Sequence, residues 1–422
     1  MGSSTIISSV KGLGIFNGRG EETIEIDVRT LGGTGRTAAP AGKSKGKYEV
    51  AYFPKGGVPQ AVKNLEKLVK PALIGLDADQ QELLDRTLHR IDGTKNFSRI
   101  GGNTAYSVSL AAAEAAAASH KKPLFAHLMK VRKAVLPMPL GNIIGGGKHA
   151  GKGTPDIQEF LALPVRAKSF KDAYAANIKV HRRVGKLLSE KQPTFTGGKG
   201  DEGAWAPKLK NSEALDILHQ AVEEVSEETG VTVKPCLDVA ASSFWDGKKG
   251  KYRYVSEGTT RDSGEQIEFI LELIEEYKLP FVEDPLHEDD YRGFAELTRK
   301  AKGCLICGDD LFVTNKKRLE AGIKVKAANS ILIKPNQVGT VTDTYEAVKM
   351  AKEFGLTPVV SHRSGETCDS PIAHLAVAFG MPIIKTGVIG GERAAKLNEL
   401  IRIEAILGHR ASTAKLNILQ RG

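Results

Sequence analysis

Eight short apolar runs mark the later two-thirds of this chain, at residues 135–140, 157–163, 236–239, 281–283, 305–309, 331–334, 359–362 and 383–385. Each gives way to polar residues and then to a helical pattern, and the stretches 264–277, 340–354 and 392–407 are amphipathic. Strands alternating with helices imply a parallel sheet. Eight such units imply a closed β/α barrel. The barrel is expected to be irregular. Only residues 141–155 separate the first two runs, and that Gly-rich stretch is too short for a helical crossover. The pair is therefore predicted to open the barrel as an antiparallel hairpin.

The earlier residues follow a different rhythm. Residues 22–28 alternate, with Ile24, Ile26 and Val28 on one face of a predicted strand. Residues 32–47 carry Pro40, Gly42 and Gly46 and no period, which predicts a mobile loop. Helical patterns cover 59–73, 78–92 and 104–119, the last rich in alanine, the strongest helix former. The expected organisation is an α+β domain over 1–130 followed by a barrel over 131–422. A chain of 422 residues is too long for one ordinary domain and fits this pair.

Charge and composition exclude several classes of function. The net charge is +10, from 60 Lys and Arg against 50 Asp and Glu. It is spread along the chain, and no basic run interleaves with aromatics. That argues against sequence-specific nucleic-acid binding and for a positive pocket that takes an anionic metabolite. Four cysteines cannot frame a disulfide scaffold at this length. Cys304 and Cys307 flank an apolar pair and are expected in a buried strand, with no second pair to complete a zinc site. No run approaches the ~18 apolar residues of a membrane span. The first residues lack a cationic, apolar leader, and Ile6 breaks the myristoylation pattern. A soluble protein of the reducing cytoplasm is expected. Residues 146–152 have P-loop spacing, but Gly153 stands where a magnesium-binding Ser or Thr is required. No dinucleotide-binding glycine motif lies between a strand and a long helix.

The strand ends carry the chemistry. Asp238, Glu283 and Asp309 close the third, fourth and fifth runs, and Lys334, His362 and Lys385 close the sixth, seventh and eighth. Barrel active sites form at the C-terminal ends of the strands, so these six are predicted to share one pocket. A single polar residue could simply cap a strand at the surface. Three carboxylates followed by three basic groups do not fit that explanation. Three carboxylates without Cys or His suit a hard cation such as magnesium. Basic groups beside a metal call for a polyanionic substrate, and a phosphorylated carboxylic acid fits. Lys334 is the candidate base, and it can serve only with a pKa well below about 10.4. Burial and neighbouring cations would both lower it. Elimination of hydroxide also needs a general acid. Glu202 lies in a turn within residues 192–210 and Glu159 in the second run, but a lone Glu in a loop is ordinarily just solvated, and position alone does not assign that task.

At this point the motifs resemble those of the enolase family. They are Gly308-Asp309-Asp310-Leu311-Phe312-Val313-Thr314-Asn315, Leu332-Ile333-Lys334-Pro335-Asn336-Gln337-Val338-Gly339, Ser361-His362-Arg363-Ser364-Gly365-Glu366-Thr367 and Ile384-Lys385-Thr386-Gly387. Gly200-Asp201-Glu202-Gly203, Gln158-Glu159-Phe160 and Asp92-Gly93-Thr94 with Asn96 add to them. The resemblance implies magnesium-dependent interconversion of 2-phosphoglycerate and phosphoenolpyruvate. By position it implies a firmly held magnesium on Asp238, Glu283 and Asp309, and a second, substrate-linked magnesium reached by Ser44. It makes Lys334 the base and Glu202 the acid, supported by Glu159. Arg363 and Ser364 would take the phosphate, and His149, His362 and Lys385 would contact the substrate or its leaving group. A homodimer or larger assembly is implied as well. The departures cluster before the barrel. Asn17-Gly18-Arg19-Gly20-Glu21-Glu22-Thr23 replaces the usual Ser-Arg-Gly-Asn-Pro-Thr, and Lys43, Lys45 and Tyr48 alter the lid. Two other readings stay open. A related enzyme acting on another carboxylate would be expected to show Lys-x-Lys on an early strand, absent from 157–163. A non-catalytic binding paralogue would be expected to lose Glu202, Lys334 or the metal carboxylates, all of which are present.

Overall fold

The structure, a computed structural model, describes residues 4–43 and 46–416. Period-two alternation builds its first sheet. Strands β1 (Ile7–Phe16), β2 (Glu22–Thr30) and β3 (Thr34–Ala38) pair antiparallel in that order. Ile24, Ile26 and Val28 are fully buried on one face of β2. Helix Gly102–Ser119 packs against β2 and β3. Its alanines let the sheet come close, and Gly35 makes the closest approach: a Cβ there would lie 2.1 Å from the Ala111 carbonyl oxygen.

This corrects the expectation of a continuous loop over 32–47. Residues 34–38 form β3, and Gly35 within it marks a close backbone approach rather than a loop. Gly35→Ala is expected to cost about 1–3 kcal/mol by overpacking. That corresponds to a fall in thermal midpoint on the order of a few degrees. Gly198→Ala, where nothing lies within 4 Å, is the control. Equal melting of the two variants would refute the close-packing account.

The expected helix over 59–73 forms as Gly57–Asn64, a π-turn at Leu65–Val69 and Lys70–Leu73. Helix Gln81–Asp92 and the turn Leu124–His127 complete this part of the molecule.

The barrel begins with β4 (Met138–Gly145), β5 (Glu159–Pro164) and β6 (Val233–Asp238). A small antiparallel sheet follows, made of β7 (Trp245–Asp246), β8 (Lys251–Tyr254) and β9 (Thr259–Arg261). Its strands of two to four residues are too short to leave a periodic signal, and the sequence did not reveal them. The barrel then resumes with β10 (Phe281–Glu283), β11 (Leu305–Gly308), β12 (Ser330–Ile333), β13 (Thr357–Ser361) and β14 (Ile383–Gly387). It closes in the order β10-β11-β12-β13-β14-β4-β5-β6.

All neighbours in the barrel are parallel except β4–β5 and β5–β6. The expected hairpin is therefore present, and it has a functional consequence. Because β5 runs backwards, its first residue, Glu159, pairs with Asp238, the last residue of β6. Glu159 thus reaches the same end of the barrel as the other strand termini. Leu140, Leu161, Cys236, Phe281, Leu305, Cys307, Leu332, Val359 and Ile383 pack into one buried cluster. Cys304 is buried as well, as expected for residues of an apolar strand.

Candidate active site

A cavity of ≈ 310 Å³ opens at the C-terminal mouth of the barrel. His149, Glu159, Glu202, Asp238, Asp309, Lys334, His362, Arg363, Ser364 and Lys385 line it, joined by Lys43, Lys47 and Lys148. Asp238 and Glu283 are the last residues of their strands, and Asp309, Lys334 and His362 stand one residue past theirs. Lys385 lies within β14 and gathers the carboxylates around its ammonium. Its Nζ is 2.8 Å from Asp238, 2.7 Å from Glu283 and 3.2 Å from Glu159. Lys334 pairs with Asp309. The structure thus brings together every residue singled out from the sequence except Ser44, which lies outside the described residues.

Oxygen donors are concentrated beyond what two lysines can neutralise. Burial pushes the Glu283 carboxyl well above the carboxylate range, and repulsion from Asp238 adds to it. Burial likewise raises Asp238, against the pull of Lys385. Asp284 also belongs to the group, since donor oxygens of Glu283, Asp284 and Asp309 all lie within 4.8 Å of one another. Asp284 accepts from the backbone of Asp309 and Asp310 at 3.0 and 2.8 Å, from a left-handed backbone with φ 41°. Burial and the neighbouring Asp309 push Asp310 up to about 7. A hard divalent cation would relieve this crowding, and the all-oxygen donor set fits one.

Lys334 departs from its expected pKa direction. Burial pushes its ammonium down, but the carboxylates around it, Asp309 foremost and then Glu283, together hold the group charged, above the usual lysine range. The sequence could place Lys334 near cations, but it could not show that its closest partner here is a carboxylate. The backbone around that pair is strained. Val313 and Thr314 have φ of 44° and 57°, and positive φ is a genuine outlier for β-branched residues. The strained turn places Thr314 Oγ1 to accept from the Lys334 amide at 2.9 Å and to donate to Gln337 at 2.7 Å. Gln337 in turn donates to Asp309 at 3.2 Å. Strain of about 1–3 kcal/mol per residue persists only where its surroundings enforce it.

Across the cavity, Glu202 accepts from Asn142 at 3.0 Å and lies 3.2 Å from His362 Nε2. His149 Nδ1 sits 3.3 Å from Glu159 and 3.6 Å from Glu202. Burial works against charge on Glu202, but the facing His362 and His149 more than offset it, and its carboxyl is held well below the usual range. Arg393 lies with Nη1 2.9 Å from His362 Nδ1. A guanidinium can only donate, so Nδ1 accepts and the His362 proton sits on Nε2, facing Glu202. Arg393 also donates to the carbonyls of Arg363 and Ser364 at 2.7 and 2.6 Å, which fixes the His362–Ser364 segment.

Arg363 is held by a partner from far along the chain. Both its Nη atoms donate to Glu49 at 3.1 Å, and it also bonds Asn336 and Tyr52. Ser364 Oγ accepts from Arg19 Nη1 and from the Lys43 amide, each at 2.8 Å. Lys43 Nζ lies 3.1 Å from Asp201, which ties residue 43 to the Glu202 turn. Glu49, Asp284, Gln337 and Arg393 were missed from the sequence. Gln337 lies inside the motif over 332–339 and Asp284 directly follows the 281–283 run, whereas Arg393 carries no local signal.

A closed barrel with carboxylates, lysines and histidines gathered at its C-terminal mouth defines an enzyme of the β/α-barrel class. The chain matches the model of the enolase N-terminal domain over residues 7–128 and that of the enolase C-terminal TIM barrel domain over residues 133–421. It is 56% identical over 401 residues to an enolase of Methanosphaera stadtmanae, covering 95% of this chain and 97% of that one. Identity is 55% over 401 residues to an enolase of Methanothermobacter thermautotrophicus, with 95% and 96% covered. For an enolase of Pyrobaculum aerophilum it is 50% over 410 residues, with 96% and 97% covered. The chain belongs to the enolase family and is a lyase. Among the described residues, no helix is long and apolar enough to cross a membrane.

Proposed function

We propose that this chain reversibly dehydrates 2-phosphoglycerate to phosphoenolpyruvate in glycolysis and gluconeogenesis, with Lys334 as base and Glu202 as acid. The observation that carries the assignment of roles is the placement of these two groups in one cavity, each with its own supporting partners. Lys334 takes the proton from C2, and Glu202 delivers one to the departing C3 hydroxyl. Glu159 and His149 hold the Glu202 side of the site, and His362 presents its Nε2 proton there. Lys385 faces the charge that builds on the substrate carboxylate. Arg363 and Ser364 take the phosphate, for which a planar guanidinium is suited.

Asp238, Glu283 and Asp309 would hold magnesium, and Ser44 would reach a second, substrate-linked ion. When bound, magnesium would neutralise the charge developing on the substrate carboxylate and would weaken the pull of Asp309 on Lys334. Arg363 and Lys385 act to lower the Lys334 pKa, against Asp309 and Glu283, which raise it. We read the chain as two domains, 1–130 and 131–422, acting in the cytoplasm as a homodimer or larger assembly.

The test is direct. Purified protein is given 2-phosphoglycerate, and phosphoenolpyruvate is followed by ultraviolet absorbance. Turnover is expected with magnesium and is expected to vanish with EDTA. Absence of turnover by folded, magnesium-loaded protein would overturn the proposal.

A further inference from the structure

A second constellation lies outside the barrel mouth and plays no part in the proposed chemistry. Asp79, His120 and His127 place one ligand atom each within 4.8 Å of one another. They come from three separate places in the fold. Asp79 precedes helix Gln81–Asp92, His120 caps helix Gly102–Ser119, and His127 ends the turn Leu124–His127. Lys121 adopts a left-handed backbone with φ 53°, which reverses the chain between the two histidines. Their rings come to stack at 5.8 Å between centroids, tilted by 25°.

Both imidazoles aim the same nitrogen at one carboxylate. His120 Nε2 is 2.9 and 2.7 Å from the two Asp79 oxygens, and His127 Nε2 is 3.9 Å from Oδ1. A surface ion pair needs only one histidine. A second imidazole converging from a separate element is what a chelate requires. We propose that Asp79, His120 and His127 form a binding site for a borderline divalent transition ion of the zinc class.

Two imidazole nitrogens and one carboxylate oxygen match the donor preference of zinc or cobalt and disfavour magnesium. Zn–N bonds of about 2.0–2.1 Å in a tetrahedron set donor separations of roughly 3.3–3.5 Å. The His120 contact opens and the His127 contact closes to reach that spacing, each by under about 1 Å, within the range of side-chain rotation. The side chains of Asp79 and His120 are more than a third exposed, which leaves the remaining coordination position to water or to a ligand from solution. Lys122 and Lys130 act electrostatically on His127, which sets the affinity below that of a buried zinc site.

The site is tested with the full chain, stripped by EDTA and held in saturating magnesium so that the barrel carboxylates are occupied. Cobalt is titrated and its visible absorption recorded, and zinc is then counted by equilibrium dialysis. The wild type is expected to bind one more equivalent than the double variant H120A/H127A, with turnover unchanged. Asp79→Asn, which keeps the shape and removes the charge, is expected to weaken binding at least tenfold. It decides the matter alone if the double variant fails to fold. Equal zinc stoichiometry and affinity in the variants and the wild type would overturn the proposal, as would release of this equivalent by magnesium.

Discussion

Lys334→Ala is expected to abolish turnover while leaving the barrel folded. General-base catalysis by a positioned group is worth ~10²–10⁴-fold. Here the loss should sit at or beyond the upper end, because no other described lysine occupies this place: Lys385 is already committed to three carboxylates. The fall should be in kcat rather than KM, since proton abstraction belongs to the transition state. The same change leaves Asp309 buried without its cation. Breaking a buried pair from one side costs about 3–5 kcal/mol, so the metal-free variant should melt lower than the metal-free wild type. Magnesium should recover much of that loss, because ligand binding to the native state stabilises it by mass action. Kinetics, thermal melting with and without magnesium, and exchange of the C2 proton with solvent together check this. Near-normal turnover, or surviving C2 exchange, would remove Lys334 from the role of base.

The parts of this molecule that were legible in the sequence are those whose physics is local. An apolar run ending in a polar residue encodes a barrel strand and its mouth in the same few positions, so Asp238, Glu283, Asp309, Lys334, His362 and Lys385 could be placed together before any coordinates. The short connection over residues 141–155 gave the reversed strand, and the reversal explains how Glu159 reaches the site. What stayed hidden depends on pairing across long sequence distances. Glu49 grips Arg363 from 314 residues away, and Arg393 orients the His362 ring from another element. Glycine was ambiguous for a related reason. At Gly35 its value is contact with a helix some 75 residues later in the chain, and no local pattern distinguishes that from a loop. The sign of the Lys334 shift failed likewise, since it depends on which neighbour lies closest and not on which neighbours exist.

Glu202→Gln is expected to separate the two halves of the reaction. Glutamine keeps the shape and can still meet Asn142 and His362, but it has no proton to give to the leaving hydroxyl. Dehydration should fall by ~10²–10⁴-fold or more. Lys334 is untouched by this change, so exchange of the C2 proton of 2-phosphoglycerate with deuterated solvent should continue. That outcome contrasts with Lys334→Ala, where exchange and dehydration should fail together. The structure makes a further demand on Glu202. His362 and His149 hold it ionised, yet a general acid must carry a proton. An anionic substrate entering between Lys334 and Glu202 adds negative charge beside the carboxyl, which raises its pKa, as burial already does. If Glu202 acquires its proton in this way, the acidic group governing kcat should titrate at higher pH in the bound state than in the free enzyme. Comparison of the pH profiles of kcat and kcat/KM reads this directly. Loss of C2 exchange in folded Glu202→Gln would mean that the two carboxyl and amine roles are not separable, and the division of labour between Lys334 and Glu202 would have to be redrawn.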